Sequence, residues 1–331
     1  MSSPSEMLSR FARHAAVFSP YYAGIEALTV LDRPVSLRLR KPFSHRLLRR
    51  KEAYIMRWIR RRFAAQIERY RTYPAARHAS RPDAPIWICW LQGEHQAPSF
   101  VSSMIARIRV NANGHPVRIV TADGIAEHLT LPGHVIDAYR AGRMPQQQLA
   151  DIVRAGLLAT HGGLWVDASM LVTRPIPQDV FDLPIYNVKG ILPNRYRDAV
   201  ACDSTGWEAY FIASQPGSVT YSFIYDCLVD YWRTYDTLID YFLLSYLAKA
   251  ARELLPGGME EYGRIPGNNR LCEQLSDYLM DPLPFDEHAR SRFFDSDTFL
   301  YKLTWKAPYP RRTADGSPTM AGWLLDGDPP S

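Results

Sequence analysis

Two carboxylates and a guanidinium carry the clearest chemistry in this chain. Asp151 and Arg154 stand three residues apart, in a stretch where Leu149, Ile152, Val153, Gly156 and Leu157 have helical spacing, so their side chains project to the same side. Gly162 and Gly163 stop that helix, because glycine accepts the left-handed conformation of a helix C-terminus. Leu164, Trp165 and Val166 then read as a short strand buried on both faces, which delivers Asp167, Ala168 and Ser169 at its carboxyl end. In open α/β sheets that is where ligands bind. A carboxylate so placed is rigidly aimed and can hold a ribose hydroxyl or a metal ion on a diphosphate. Asp151 and Arg154 can converge on a sugar through its hydroxyls. The pattern by itself is equally that of a helix, a glycine cap and a core strand, with Asp167 starting a turn.

The elements around this stretch alternate in a way that would position it. Residues 86–90 form a buried strand, and of Trp87 and Trp90 at least one is a core aromatic. Pro98 opens a helix with Val101, Met104, Ile105 and Ile108 as its buried stripe, closed by residues 111–114. Residues 117–121 form the next strand, ending at Asp123 and Gly124. Strand, helix, strand, then the helix from Leu149 and the strand from Leu164 predict a parallel sheet with crossover helices. Downstream, Pro216 and Gly217 precede a helix over 218–232, residues 240–244 belong to a second, and residues 268–271 begin another. Residues 301–306 read as an edge strand. Its two lysines are either solvated or, flanking Thr304, able to neutralise a diphosphate. The tail, 311–331, reads as irregular.

At 331 residues, with 47% apolar and 22% charged side chains, the chain is an ordinary globular protein able to bury a large core. Cys89, Cys202, Cys227 and Cys272 are scattered without pairing or zinc-ligand spacing, which fits a reducing compartment. No run of about 18 apolar residues marks a membrane span. The N-terminal stretch contains Arg10, Arg13 and Glu26 and lacks a signal-peptide core. The expected location is the cytoplasm or the inner face of the cytoplasmic membrane.

The net charge of +5 has its excess near the N-terminus. Residues 1–75 read as a basic helical extension. Arg38, Arg40, Lys41, Arg46, Arg49, Arg50, Lys51, Arg57, Arg60, Arg61, Arg62, Arg69 and Arg71 are interleaved there with Leu47, Leu48, Tyr54, Ile55, Ile59 and Phe63. Such a segment either lies on anionic lipid through residues 38–71, or packs its apolar stripe on the main domain and leaves its charges in solvent. No helix-turn-helix or stacking-aromatic pattern points to nucleic acid. Residues 76–85 read as a linker, and 86–310 as the main domain.

The central segment ADIVRAGLLATHGGLWVDAS resembles the signature of the bacterial capsular polysaccharide synthesis proteins. These are related to the family 32 glycosyltransferases and, more distantly, to the clostridial glucosylating toxins. Asp151, Arg154, Gly162, Gly163 and Asp167 match position for position, with the same 16-residue interval from Asp151 to Asp167. Ser169 stands where the wider group has the second Asp of an Asp-x-Asp, although the capsular branch often reads Asp-Ala-Ser. Trp90, Gln92 and Gly93 match a strand end that receives the nucleotide base. Asp240, Tyr241 and Phe242 match an aromatic segment, and residues 302–306 match a closing Lys-Leu-Thr-aromatic-Lys. The resemblance covers residues 84–310.

The resemblance implies a GT-A type glycosyltransferase fold, a Rossmann-like mixed sheet with helices on both faces. It implies transfer of a sugar from a nucleotide-sugar donor to a saccharide or lipid-linked saccharide acceptor, with retained configuration. Asp151, Arg154 and Asp167 would be the catalytic residues, with Asp151 and Arg154 on the donor sugar and Gly162 and Gly163 lining its site. Asp167 and Ser169 would face the ribose and a divalent metal, Mn²⁺ or Mg²⁺, and Lys302, Thr304 and Lys306 the diphosphate. Asp203 and Glu208 are acceptor candidates by position. A serine hydroxyl is a weaker, neutral ligand, so the metal is expected to bind poorly until a nucleotide diphosphate supplies oxygens. The rival reading is a non-catalytic scaffold of polysaccharide assembly that keeps the fold. A methyltransferase would need a glycine-rich loop after Trp90, which is missing, and there is no GxGxxG, P-loop, GxSxG or HExxH.

Overall fold

The protein is described by a computed structural model over residues 4–39, 45–192 and 207–327. Its strands, in chain order, are β1 (Ile86–Cys89), β2 (Val117–Val120), β3 (Gly163–Val166), β4 (Met170–Val172), β5 (Ile185–Asn187), β6 (Phe211–Ser214) and β7 (Leu300–Lys302). Five of them form one sheet in the order β2-β1-β3-β6-β5. β1 runs parallel to β2 and to β3, with Trp87 opposite Trp165. β6 is antiparallel to β3, with Trp165 opposite Ile212, and β5 is antiparallel to β6. The expectation of parallel pairing therefore holds for the first three strands only. Antiparallel neighbours need no crossover helix, so the βα alternation cannot announce them. β4 and β7 form a separate antiparallel pair with Met170 opposite Lys302.

The period of two in the strands sends alternate residues into two cores. Trp87, Trp165 and Ile212 face a core built with the Gln146–Thr160, Val219–Thr234 and Leu243–Leu254 helices. Ile86, Ile88, Leu164, Val166 and Phe211 face the other, with the Ser99–Val110 helix, whose Val101, Ile105 and Ile108 pack there. The result is a mixed α/β protein, a mixed sheet flanked by helices, with an N-terminal helical segment. β3 is the middle strand, as its apolar character requires.

Of the N-terminal helices (Pro4–Val17, Pro20–Leu39, His45–Arg62 and Ala64–Tyr70), the last three belong to the first core and Pro4–Val17 packs on Pro20–Leu39. Tyr22, Ile55, Ile59, Phe63, Ile67 and Tyr70 are buried in that core. Arg40 and Lys41 lie outside the described residues. The stretch expected to be a linker is pinned to the body. Ala79 N donates to the Asp182 carbonyl (3.0 Å), Gln215 Nε2 to the Ala79 carbonyl (2.9 Å), and Ala76 N to Glu261 Oε1 (2.9 Å).

Two further expectations are corrected. The tail forms a helix, Met320–Asp326, capped by Thr319 Oγ1, which accepts from Gly322 N (3.1 Å), and ended by Gly327 in the left-handed region. Met320, Ala321 and Leu324 bury against Phe293, Leu303 and Tyr309, so this segment is held by packing that no local pattern announces. Residues 268–271 start no helix. Asn269 adopts φ 47° and is buried, donating to Tyr186 Oη (3.2 Å) and accepting from Phe299 N (3.0 Å). Among the described residues, no helix is long and apolar enough to cross a membrane.

Candidate active site

The Gln146–Thr160 helix is buried along almost its whole length, and its packing sets the direction of Asp151 and Arg154. Arg154 Nη2 lies 3.3 Å from Asp151 Oδ1, and both side chains are about nine-tenths buried. Gln148, one turn earlier, donates from Nε2 to Asp151 Oδ2 (3.0 Å). Arg154 also donates to the Ala209 carbonyl and lies over the Trp165 ring, 4.9 Å from its centroid. Gln148 Oε1 and Arg154 Nε, both buried, have no hydrogen-bond partner among the described residues.

The helix hands over to β3 through two glycines that nothing larger can replace. A Cβ on Gly162 (φ 67°) would meet the Ser214 carbonyl at 2.5 Å, and one on Gly163 (φ 89°) the Pro85 carbonyl at 2.3 Å. β3 then carries the chain to Asp167, whose N–H donates to the Tyr210 carbonyl (2.8 Å). Asp167 Oδ1 accepts from Trp165 Nε1 (3.1 Å) and lies 3.9 Å from Arg154 Nη2. Asp167 Oδ2 accepts from Lys302 Nζ at 3.0 Å, and the same ammonium lies 3.3 Å from Ser169 Oγ. The β4–β7 pairing places Lys302 there, across from Met170, and its N–H donates to the Cys272 carbonyl (2.8 Å). Asp151, Arg154, Asp167, Ser169 and Lys302 are thus brought together from a helix, a strand end and the β4–β7 pair.

Electrostatics separate the two carboxylates. Burial pushes the Asp151 carboxyl up to about 6, with Arg154 and the Gln148 hydrogen bond opposing and Asp167 adding to the rise. Burial also pushes Asp167 up, but Lys302, Arg154 and the hydrogen bonds from Trp165 and Lys302 outweigh it and hold this carboxyl below the ordinary range. At the end of β1, burial raises the Cys89 thiol to about 12, with the charges of Arg154 and Asp167 both felt there. The strand end bearing Trp90 therefore adjoins the site.

Other expected residues sit at varying distances from this centre. Trp90 is half-buried with an indole N–H that has no partner among the described residues. Gln92 is exposed, and Gly93 turns the chain at φ 86°. Gly162 and Gly163 lie at the amino end of β3, away from Asp167, and their closest approaches are to Ser214, Pro216 and Pro85, so they shape the strand entry and do not line the site. Thr304 Oγ1 accepts from Lys306 N (3.3 Å), and the exposed Lys306 ammonium lies over the Trp305 ring (5.4 Å) without a contact to Asp167. Asp203 lies outside the described residues. Glu208 is bonded through its backbone to Asn187.

Several neighbours were not anticipated as part of the site. Tyr241 is 59% exposed, and its hydroxyl is raised by burial, then by Asp151 and Asp167, with Arg154 opposing, so it lies within reach of their charges. Its signal was available in the Asp-Tyr-Phe segment. Asp240 points elsewhere, to Lys51. Gln148 sits one helical turn before Asp151, a spacing that could have revealed it. The ring of Tyr210 lies under Lys302, 5.1 Å from its Nζ.

A divalent metal does not fit this donor set. A hard cation wants about six oxygen ligands. Each of the four carboxylate oxygens of Asp151 and Asp167 already faces an N–H donor, and an ammonium holds the position between Asp167 and Ser169. Among the described residues no cluster of three or more His, Cys, Asp or Glu could hold a metal ion.

Comparison with known proteins gives three findings. A family model for capsular polysaccharide synthesis proteins matches residues 37–318. No curated protein matches the sequence. Among solved structures, the chain is similar to one described as a PaToxG glycosyltransferase, at 11% identity over 64% of this chain and 79% of that one, with a TM-score of 0.40.

Proposed function

The chain belongs to the capsular polysaccharide synthesis protein family, and we propose that it is a glycosyltransferase moving a sugar from a nucleotide-sugar donor to a saccharide or lipid-linked saccharide. The observation that carries this reading is the convergence of Asp151, Arg154, Asp167 and Lys302 at the carboxyl edge of the central strand. Gln148 Oε1 and Arg154 Nε add buried hydrogen-bonding capacity that has no partner among the described residues. Buried polar atoms are normally paired, so unpaired ones at a strand end favour a polar ligand such as a sugar.

In this proposal Asp151 and Arg154 hold hydroxyls of the donor sugar, and Asp167 holds the ribose. Lys302 faces the diphosphate. The bond between the anomeric carbon and the phosphate oxygen breaks, its electron pair leaves with the diphosphate, and an acceptor hydroxyl forms the new bond as its proton passes to solvent. Little covalent help is asked of the protein; orientation and neutralisation of the leaving charge do the work. Tyr241, exposed and within reach of these charges, offers an aromatic face to the donor sugar or the acceptor. Retention of configuration is part of the proposal and rests on the family likeness alone.

The proposal extends to an anionic membrane surface. The apolar stripe of the His45–Arg62 helix is spent on packing, since Ile55, Met56 and Ile59 are buried, but Arg46, Arg49, Arg50 and Arg57 remain exposed. The preceding helices expose Leu8, Leu28 and Leu31. Thermal-shift screening of nucleoside diphosphates tests the donor reading. At least one should raise the melting temperature of the wild type and raise that of Arg154→Ala less; no shift with any nucleotide would count against it.

A further inference from the structure

We propose that the Lys302 ammonium does in this protein the work of a divalent cation, so that donor binding needs no metal. The proposal rests on the nucleotide-sugar reading above and deepens it. Three observations carry it. The ammonium bridges Asp167 Oδ2 (3.0 Å) and Ser169 Oγ (3.3 Å), the two positions from which a metal would be held. No carboxylate oxygen in the site lacks a donor: Asp151 faces Arg154 and Gln148, and Asp167 faces Trp165 and Lys302. Among the described residues in direct contact here, two carboxylates face one guanidinium and one ammonium.

Lys302 is also built in. Its backbone is fixed by pairing with Met170 and by the Cys272 carbonyl, and its Nζ lies over the Tyr210 ring. The hydroxyl of that ring, Tyr210 Oη, donates to Glu273 Oε1 (3.1 Å). An ammonium has three donors. Two go to Asp167 and Ser169, and the third is left for a phosphate oxygen. The side chain is 30% exposed, so a ligand can reach it. Ser169 suits this arrangement: a second carboxylate there would draw the ammonium off the phosphate, while a hydroxyl only steadies it.

The test is calorimetric titration of the full chain with inorganic pyrophosphate and, separately, with Mn²⁺. Pyrophosphate should bind equally well in EDTA and in Mn²⁺. Mn²⁺ alone should give no saturable heat with the wild type, and with Lys302→Met, which frees Asp167 and Ser169, it should bind only together with pyrophosphate, whose oxygens complete the ligand set. Lys302→Met should weaken pyrophosphate binding about tenfold, the scale of one charge-assisted hydrogen bond, and Lys302→Arg should keep most of it. Pyrophosphate binding that vanishes in EDTA, or that survives unchanged in Lys302→Met, overturns the proposal without need of any other variant. Nucleotide-sugar hydrolysis in the same two buffers separates the failures. Hydrolysis only with Mn²⁺ overturns the lysine's role and spares the donor reading, whereas none in either buffer counts against the donor reading itself.

Discussion

Lys51 Nζ lies 2.5 Å from Asp240 Oδ2, so a residue of the N-terminal helices holds the loop that carries Tyr241 near the two carboxylates. Asp240 also caps that loop locally, its Oδ1 accepting from Phe242 N (2.9 Å), and Tyr22 Oη donates to the neighbouring Ile239 carbonyl. The basic segment is therefore part of what shapes the site. Lys51→Ala should leave a largely buried carboxylate without its cation and cost about 2 kcal/mol, read as a lower melting temperature. It should also weaken donor binding, through Tyr241. An unchanged melting temperature would show that the pair contributes nothing.

The raised Asp151 carboxyl predicts a pH dependence with a definite sign. Its folded value of about 6 lies above the ordinary range near 4, so the ionised form is the one the fold disfavours. The penalty is absent below pH about 4, grows as pH rises to about 6, and is constant above that. Asp151→Asn should remove this slope from the stability profile. In kcat/KM, which reports the free enzyme, activity should fall as pH drops below about 6 and Asp151 loses its charge towards Arg154 and the sugar. Asp167, held low, stays ionised through that window. A kcat/KM flat from pH 5 to about 7 would contradict this assignment.

Gly163 illustrates a residue retained for packing. Its positive φ and the Pro85 carbonyl 2.3 Å from a built Cβ mean that Gly163→Ala should destabilise by about 2 kcal/mol or more in thermal unfolding. Gly133 has open space and no positive φ, so Gly133→Ala should be neutral or slightly stabilising.

The exposed arginines are tested by substitution, since removing residues 1–75 would strip Ile55, Ile59, Phe63 and Ile67 out of the core. Changing Arg46, Arg49, Arg50 and Arg57 to Gln should lower binding to phosphatidylserine vesicles by about 1 kcal/mol per residue and flatten its salt dependence. Vesicle binding unchanged by the four substitutions would remove the membrane reading.

What the sequence disclosed was local. The helix bearing Asp151 and Arg154, its glycine stop and β3 follow from spacing within one continuous stretch. Lys302 reaches Asp167 from 135 positions away. Its place depends on β4 pairing with β7, and only the likeness of residues 302–306 to a family segment hinted at it. The antiparallel β5 and β6, the turn at Asn269 and the buried tail helix are likewise decided by distant partners. Gly162 and Gly163 show another side of the same motif, since the contacts a Cβ there would make are with the backbone of Ser214 and Pro85.

The central claim is that this strand end turns over a nucleotide-sugar, and hydrolysis of a panel of nucleotide-sugars by the purified chain and by Asp167→Asn tests it most directly. The substitution removes one charge and keeps the shape, so circular dichroism should be unchanged. The wild type should release nucleoside diphosphate from at least one donor, and Asp167→Asn should do so at a rate at least about 100-fold lower. Equal rates in the two proteins, or a donor that binds the wild type and is never cleaved even with acceptor saccharides present, would contradict it, the second result pointing to a scaffold that keeps the fold without turnover.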